Sequence, residues 1–97
     1  MHFEWDENKD RENIKKHGIS FQEAQDIFDD PFHLSVLDKR FDYFEERWVT
    51  IGSTKERRII VTGHLYYLTE RGEEVIRIIT ARKATKKEKE RYENIRF

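Results

Sequence analysis

The chain has 97 residues, which is enough for one domain with a single modest hydrophobic core. It contains no cysteine, which excludes disulfides and thiolate metal sites and is consistent with a reducing cytoplasm. No apolar run approaches the roughly 20 residues of a membrane-spanning helix, and the N-terminus lacks the features of a secretion signal. We therefore expect a cytoplasmic protein with no membrane partner.

Charge is unevenly distributed, although the net charge is only −1. Residues 1–46 contain 13 acidic and 6 basic side chains, whereas residues 75–97 contain 8 basic and 3 acidic ones. A basic C-terminal part on a nearly neutral chain favours a local anion-binding surface. For the cations of the last predicted helix, the favoured interpretation is its solvated face; they are Lys86, Lys87, Lys89 and Arg91.

Two helices are predicted in the N-terminal third. Asp6 is a suitable N-cap for the first helix, and Gly18 supplies the left-handed residue that ends it at about residue 16 or 17. Ser20 and Glu23 form a capping-box pattern for the second helix. Apolar residues at helical spacing follow, and the run Asp29-Asp30-Pro31 ends this helix.

Four strands and a last helix are predicted in the remainder. β-Branched and aromatic residues indicate strands at 33–38, 47–53, 58–68 and 74–83. Gly63 suggests a bulge or a close backbone approach in the third strand. Thr85 and Glu88 form a capping box for the last helix. We therefore expect an α+β domain with two N-terminal helices, a four-stranded antiparallel sheet and a C-terminal helix.

The last predicted strand carries arginines that can serve phosphate binding. Arginine offers a planar fork that matches phosphate geometry, and a strand is a rigid platform for it. Strict alternation places Arg77 on one face and Arg82 on the other, so the two do not form one polar face. The alternative is that each arginine pairs with an acidic residue of a neighbouring strand.

Motifs for several large enzyme classes are missing from the sequence. The four histidines, at positions 2, 17, 33 and 64, show no metal-ligand spacing. No P-loop, dinucleotide-binding, nucleophile-elbow or zinc-protease motif occurs. We therefore expect neither a metal site nor a cofactor.

Several motifs, taken in order along the chain, resemble those of the BrnT toxin family. They are Phe3-x-Trp5-Asp6, Lys16-His17-Gly18-Ile19-Ser20-Phe21, Phe28-Asp29-Asp30-Pro31, Glu46-Arg47 with Gly52, and Ile76-Arg77-Ile78-Ile79-x-Ala81-Arg82-Lys83-Ala84-Thr85. Together they extend over essentially the whole chain. One difference is Glu7, where the family usually has proline, and glutamate there retains a good helix start.

The resemblance implies a compact RelE-like fold that spans residues 1–97 as a single toxin domain. It further implies the toxin of a type II toxin–antitoxin pair, an endoribonuclease that inhibits translation by cleaving RNA, free or on the ribosome. The implied partner is a BrnA-like antitoxin with a ribbon-helix-helix domain. Promoter DNA would be bound only through that antitoxin.

Candidate catalytic residues follow from the chemistry that a ribonuclease needs. RNA carries its own nucleophile, the 2′-hydroxyl, so the enzyme must supply a base, an acid and fixed positive charge. The resemblance to the family motif favours a functional role for the arginines of the last strand. Arg82 is the first candidate for stabilising the transition state, followed by Arg77. Glu46 is a candidate base, and His64 titrates in a useful range. Metal-independent cleavage is the enzyme chemistry that the sequence permits best.

Four further residues, Arg47, Lys83, His17 and Lys16, are candidate RNA contacts. Arg47 can clamp a phosphate, or it can form a cross-strand ion pair with little effect on stability. Lys83 can bind phosphate, or it can be a solvent-facing strand end. His17 can instead interact with the C-terminus of the first helix, and His64 can be a half-buried structural residue.

A second hypothesis is a non-catalytic interaction module that binds a DNA-binding partner, because no clear acid–base pair is visible. Direct recognition of DNA is disfavoured, since the acidic first half supplies no basic recognition helix. In either case the aromatic residues Phe41, Tyr43 and Phe44 are a candidate antitoxin surface.

Overall fold

The computed structural model describes residues 1–39 and 46–95. The elements in chain order are β1 (His2–Glu4), α1 (Glu7–His17), α2 (Phe21–Ala24), a 3₁₀ segment (Gln25–Asp29), β2 (Leu34–Leu37), β3 (Arg47–Ser53), β4 (Ile59–Leu68), β5 (Glu74–Lys83) and α3 (Lys86–Ile95). No helix in these two ranges is long and apolar enough to cross a membrane. The aromatic cluster Phe41, Tyr43 and Phe44 lies outside the described residues.

The sheet has five strands in the order β1-β5-β4-β3-β2. Consecutive strands from β2 to β5 pair antiparallel with one another, as the sequence predicted. The expectation of four strands was wrong, because β1 adds a parallel edge strand beside β5, with Phe3 opposite Ile76. Three residues are too few to show a period-two pattern, so the sequence did not distinguish this strand from a loop.

The predicted helix caps are present at both N-terminal helices. Asp6 accepts hydrogen bonds from two amides of the first turn of α1, at 2.8 and 3.1 Å, and Gly18 ends that helix with a φ of 68°. The Ser20 hydroxyl accepts from the amide of Glu23 at 3.0 Å. The second helix is shorter than predicted, because its continuation tightens into the 3₁₀ segment. The Glu23 carboxylate pairs with Arg58 at 3.1 Å instead of closing the capping box.

The hydrophobic core lies between α1, α2 and one face of the sheet, which we call the inner face. Its buried members are Ile19, Phe21, Ala24, Ile27, Ile60, Ile76, Ile78 and Ala81. Trp5, with Phe3 and Phe28, packs partly buried against this cluster. Each large buried side chain contributes about 1.5–3 kcal/mol of transfer free energy, so the inner face supplies most of the stability. The opposite, outer face is therefore available for function.

Asn13 joins α1 to β5 on the side of β5 that faces away from β4, at a point that β1 does not reach. Its Nδ2 donates to the carbonyls of Ile19 and Ala81 at 2.8 and 2.9 Å, and its Oδ1 accepts from the amide of Ala81 at 3.2 Å. β1 pairs only with residues 75–77. The buried asparagine side chain thus takes the place of a neighbouring strand at Ala81 and satisfies its backbone groups.

A bulge in β5 changes which side chains share the outer face. The pairing with β4 steps from Gly63 to His64 while β5 advances by two residues, so Ile79 is an extra residue. Beyond the bulge, the alternation of side chains is shifted by one position. Arg77 and Arg82 therefore both lie on the outer face. The prediction that they lie on opposite faces was wrong for this reason.

α3 packs across the end of the sheet. The Thr85 amide donates to the Glu88 carboxylate at 2.8 Å, and the Glu88 amide donates to the Thr85 hydroxyl at 3.2 Å, which is the predicted capping box. Tyr92 is buried and donates to Asp30, whose carboxylate also accepts from the amide of Ser53 at 2.8 Å. These bonds tie α3 to β3 and to the residue that follows the 3₁₀ segment.

Candidate functional site

A cleft of about 170 Å³ opens on the outer face, where β3, β4 and β5 lie side by side. It is lined by Asp38, Arg47, Trp48, Val49, Val61, Gly63, Ile79, Thr80 and Arg82. Two arginines and one carboxylate thus surround a lining that is otherwise mostly small or apolar. Such a combination can hold an anionic group and exclude part of its water, which strengthens the electrostatic interaction.

Gly63 and the bulge beside it shape this cleft. A Cβ atom at Gly63 would lie 2.7 Å from Oγ1 of Thr80, so the Thr80 hydroxyl would have to move. The bulge also brings the consecutive residues Ile79 and Thr80 to the same cleft. The close approach predicted at Gly63 is confirmed, whereas the extra residue of the bulge lies opposite it in β5 and not in β4.

Arg82 reaches the cleft from β5 and is held by Glu88 of α3. Its Nη1 and Nη2 donate to the two carboxylate oxygens of Glu88 at 2.8 and 3.0 Å. Hydrogen bonding from Arg82 lowers the pKa of Glu88 to about 2, so the pair stays charged at neutral pH. The Arg82 side chain is still 40% exposed. An ion pair of Arg82, predicted as an alternative, therefore exists, and the partner is Glu88 of the following helix.

Arg47 and Asp38 come to the cleft from the paired ends of β3 and β2. The Asp38 amide donates to the Arg47 carbonyl at 2.7 Å, which extends the β2–β3 pairing by one step. Arg47 was predicted as an RNA contact, and it lines the same cleft as Arg82. Asp38 was missed. The sequence feature that could have indicated it is its position at the end of one predicted strand, since the next predicted strand begins with Arg47.

Arg77 shares the outer face but does not line the cleft. It pairs with Glu4 of β1 at 3.4 Å, and Glu4 also accepts a hydrogen bond from Tyr67. Along β5 it lies five residues from Arg82, which is about 16 Å at roughly 3.3 Å per residue. The structure therefore does not bring together the two arginines that were the first candidates for catalysis.

His64 lies on the inner face, where it is only 4% exposed. Its Nε2 is 2.7 Å from the Thr50 hydroxyl, which is in turn 2.6 Å from the Ser35 hydroxyl. The Phe28 ring packs edge-on at a centroid distance of 5.0 Å. Burial lowers the pKa of His64 to about 4, so the ring is neutral at pH 7. The sheet itself lies between His64 and the side chain of Arg82.

The other predicted residues do not line the cleft. Lys16 and His17 end α1, on the side of the sheet that carries the core. Glu46 is exposed just before β3. Lys83 follows Arg82 directly but lines a separate groove beside α3. Within residues 1–39 and 46–95, no three side chains of the metal-binding types His, Asp and Glu come together in a group that could hold a metal ion.

The sequence and the fold are both similar to one known family. The family model for the ribonuclease toxin BrnT of type II toxin–antitoxin systems matches residues 5–88. The fold is similar to the crystal structure of the ribonuclease toxin BrnT from Brucella abortus, with a TM-score of 0.61 and 25% sequence identity. The structural match covers 89% of this chain and 99% of the Brucella chain. No curated protein sequence matches the chain.

The matched region contains all parts of the cleft described above. Asp38, Arg47, Arg82 and the Glu88 that holds it fall within residues 5–88, and so does the bulge in β5. The family resemblance noted in the sequence motifs is thereby confirmed over most of the chain. The protein therefore belongs to the BrnT family of ribonuclease toxins of type II toxin–antitoxin systems.

Proposed function

We propose that this protein is an endoribonuclease that cleaves RNA in the outer-face cleft without a bound metal ion. The observation that carries the proposal is the arrangement of Arg47, Arg82 and Asp38 around one cleft. RNA brings its own nucleophile in the 2′-hydroxyl. The protein must then place positive charge around the phosphate and assist proton transfer.

The two arginines supply the positive charge in this proposal. Arg82 is held from behind by both oxygens of Glu88, so its guanidinium is oriented before the substrate binds. A preorganised cation stabilises developing negative charge without reorganising during the reaction. Arg47 approaches from β3, two strands away from Arg82. A phosphate in the cleft would thus lie between cations from two different strands.

Asp38 is the base that we assign, because among the described residues it is the carboxylate that lines the cleft. It would accept the proton of the 2′-hydroxyl as that oxygen attacks the phosphorus. Asp38 replaces the two candidates suggested by the sequence. Glu46 does not line the cleft, and the buried His64 points to the other face of the sheet. Neither is included in the proposed site.

Family membership extends the proposal to partners. We infer that a BrnA-like ribbon-helix-helix antitoxin neutralises this protein and that promoter DNA is bound only through that antitoxin. RNA cleavage, free or on the ribosome, would inhibit translation. These inferences are supported by the match to a family of toxins of type II toxin–antitoxin systems.

Cleavage of a single-stranded RNA by the purified protein, in EDTA and in Mg²⁺, tests the proposal. We expect equal cleavage in both buffers, with 2′,3′-cyclic phosphate or 3′-phosphate ends, and no cleavage of DNA of the same sequence. Asp38→Asn should slow cleavage by about 100-fold or more. Cleavage that disappears in EDTA and returns with Mg²⁺ would refute metal independence. A wild type inactive on free RNA and on translating ribosomes would favour the non-catalytic interaction module.

A further inference from the structure

A second basic groove lies at the end of the sheet, between the β3–β4 turn and α3. Its volume is about 460 Å³, and it is lined by Arg57, Arg58, Ile59, Lys83, Lys89 and Glu93. Four of these six residues are cations, and one is acidic. The cleavage chemistry proposed above uses none of them. These four cations therefore have no role in the function proposed so far.

The cations of this groove come from three different elements. Arg57 lies in the turn, Lys83 at the end of β5 and Lys89 in the first part of α3, and all three are exposed. Arg58 is paired with Glu23 at 3.1 Å, so its charge is already partly balanced. Bringing like charges together is unfavourable, and an anion bound between them relieves the repulsion. The charge pattern thus indicates an anionic ligand.

The backbone at Arg57 adds a second observation. Its φ is 66°, which makes it the one non-glycine residue with a positive φ in the described ranges. The Arg57 amide donates to the Thr54 carbonyl at 2.9 Å, and the Thr54 amide donates to the Arg58 carbonyl at 2.9 Å. Glycine is the residue favoured at such a left-handed hairpin position. An arginine held there at a conformational cost points to a use for its charge.

The groove and the cleft are lined by consecutive residues of β5, whose side chains leave the strand on opposite faces. Arg82 lines the cleft, and the next residue, Lys83, lines the groove. The same relation recurs on α3, where Glu88 holds Arg82 and Lys89 lines the groove. A small anion would occupy one of these sites only. A chain of phosphates that leaves the cleft beside Arg82 and passes around the end of β5 would reach the groove next.

We propose that this groove binds the backbone phosphates of single-stranded RNA that flank the bond cleaved at Arg82. The proposal rests on the ribonuclease function proposed above and specifies its substrate as an RNA strand of several nucleotides. A groove of cations that follows the backbone is the usual way in which proteins hold single strands without reading sequence. Binding should therefore strengthen with RNA length and weaken steeply with salt.

The test is the affinity of the double variant Arg57→Gly, Lys89→Gln for non-cleavable 2′-O-methyl RNA. Glycine suits the backbone at position 57, and Lys89 is exposed, so the fold should be retained. The matched control is Lys15→Gln, Arg71→Gln, which removes two exposed cations elsewhere. Fluorescence anisotropy would be measured over a range of salt concentrations, with oligonucleotides of about 4 and about 12 nucleotides.

We expect the affinity of the groove variant for the longer RNA to be about 10-fold lower than that of wild type. Its affinity for the shorter RNA should change much less. The slope of log affinity against log salt concentration should become shallower by about 1.4, since each lost phosphate contact contributes roughly 0.7 to that slope. The control should bind as wild type does. Equal losses for both lengths, or unchanged binding of the longer RNA, would overturn the proposal. So would unchanged RNA binding together with weaker binding of a poly-glutamate peptide, which would assign the groove to an acidic protein segment.

The failure of this proposal can be told apart from failure of the ribonuclease function. The binding measurement uses RNA that cannot be cleaved, so it does not depend on activity. If wild type cleaves no RNA but the groove variant shows the expected binding defect, RNA binding in the groove is supported and the cleavage proposal is refuted. If wild type cleaves RNA and the groove variant binds the longer RNA as wild type does, the cleavage proposal is supported and RNA binding in the groove is refuted.

Discussion

His64 shows how the environment of a residue decides its role. Histidine in a strand is compatible with catalysis, and its position after Gly63 in the sequence does not reveal which face it occupies. In the fold it is buried beside Phe28, and its ring nitrogen is bonded to Thr50. Burial keeps its pKa at about 4, against 6.5 for an exposed histidine. We therefore assign it a structural role as a neutral hydrogen-bonding group.

This lowered pKa predicts how stability depends on pH. Between pH 6.5 and about 4, the unfolded chain binds a proton at His64 that the folded chain does not, so folding is increasingly disfavoured as pH falls. The free energy of unfolding should decrease by roughly 2 kcal/mol between pH 6.5 and pH 5 on account of this group. Urea unfolding at both pH values, for wild type and His64→Gln, measures the effect.

The comparison depends on the difference between the two pH values and not on the absolute stability of the variant. His64→Gln is expected to lose most of that pH dependence, because glutamine does not titrate. The three other histidines contribute equally to both proteins. An identical pH dependence in wild type and variant would contradict the assignment of a buried, neutral His64.

At the scale of elements, Asn13 carries the contact between α1 and the free edge of β5. Replacing Asn13 with alanine removes three hydrogen bonds and leaves backbone groups of Ile19 and Ala81 without their partner. We expect the free energy of unfolding to fall by roughly 2–4 kcal/mol. Asn8→Ala, on the exposed part of the same helix, is the control and should change stability by about 0.5 kcal/mol or less. Similar small effects of both substitutions in urea unfolding would disprove this role.

The elements that the sequence predicted well are those with strong local signals. Caps at Asp6, Ser20 and Thr85 were found because capping depends on residues only a few positions apart. β1 was missed, since its pairing with residues 75–77 is a contact between the two ends of the chain. Asn13 and Ala81 are also far apart in the sequence, and no local pattern predicted their contact.

The candidate site was predictable only in part, and the bulge explains why. Arg82 and Arg47 were found from the family motifs, and both line the cleft. Which residues share a face depends on the alternation along β5, and one extra residue at Ile79 reverses it. Asp38 was missed because its closeness to the arginines results from the pairing of β2 with β3 and from no spacing along the chain.

For the whole molecule, the sheet separates two environments. The inner face carries the core, a neutral histidine and buried hydroxyl groups. The outer face and the end of the sheet carry the cleft and the basic groove. Arg82, one of the two arginines that line the cleft, also anchors α3 through Glu88. Any test of catalysis by Arg82 must therefore distinguish lost chemistry from a loosened helix.

The most direct test of the account compares single-turnover RNA cleavage by wild type, Arg82→Ala and Glu88→Gln. Both variants lose the same ion pair, so both should show a similar loss of stability in parallel unfolding measurements. Only Arg82→Ala loses one of the two cations that line the cleft. We expect it to cleave about 100-fold more slowly or worse, as is typical when a group that stabilises the transition state is removed. Glu88→Gln should lose about 10-fold or less, since Arg82 remains. Equal losses of rate in the two variants would mean that Arg82 only anchors α3, and would contradict its role in catalysis.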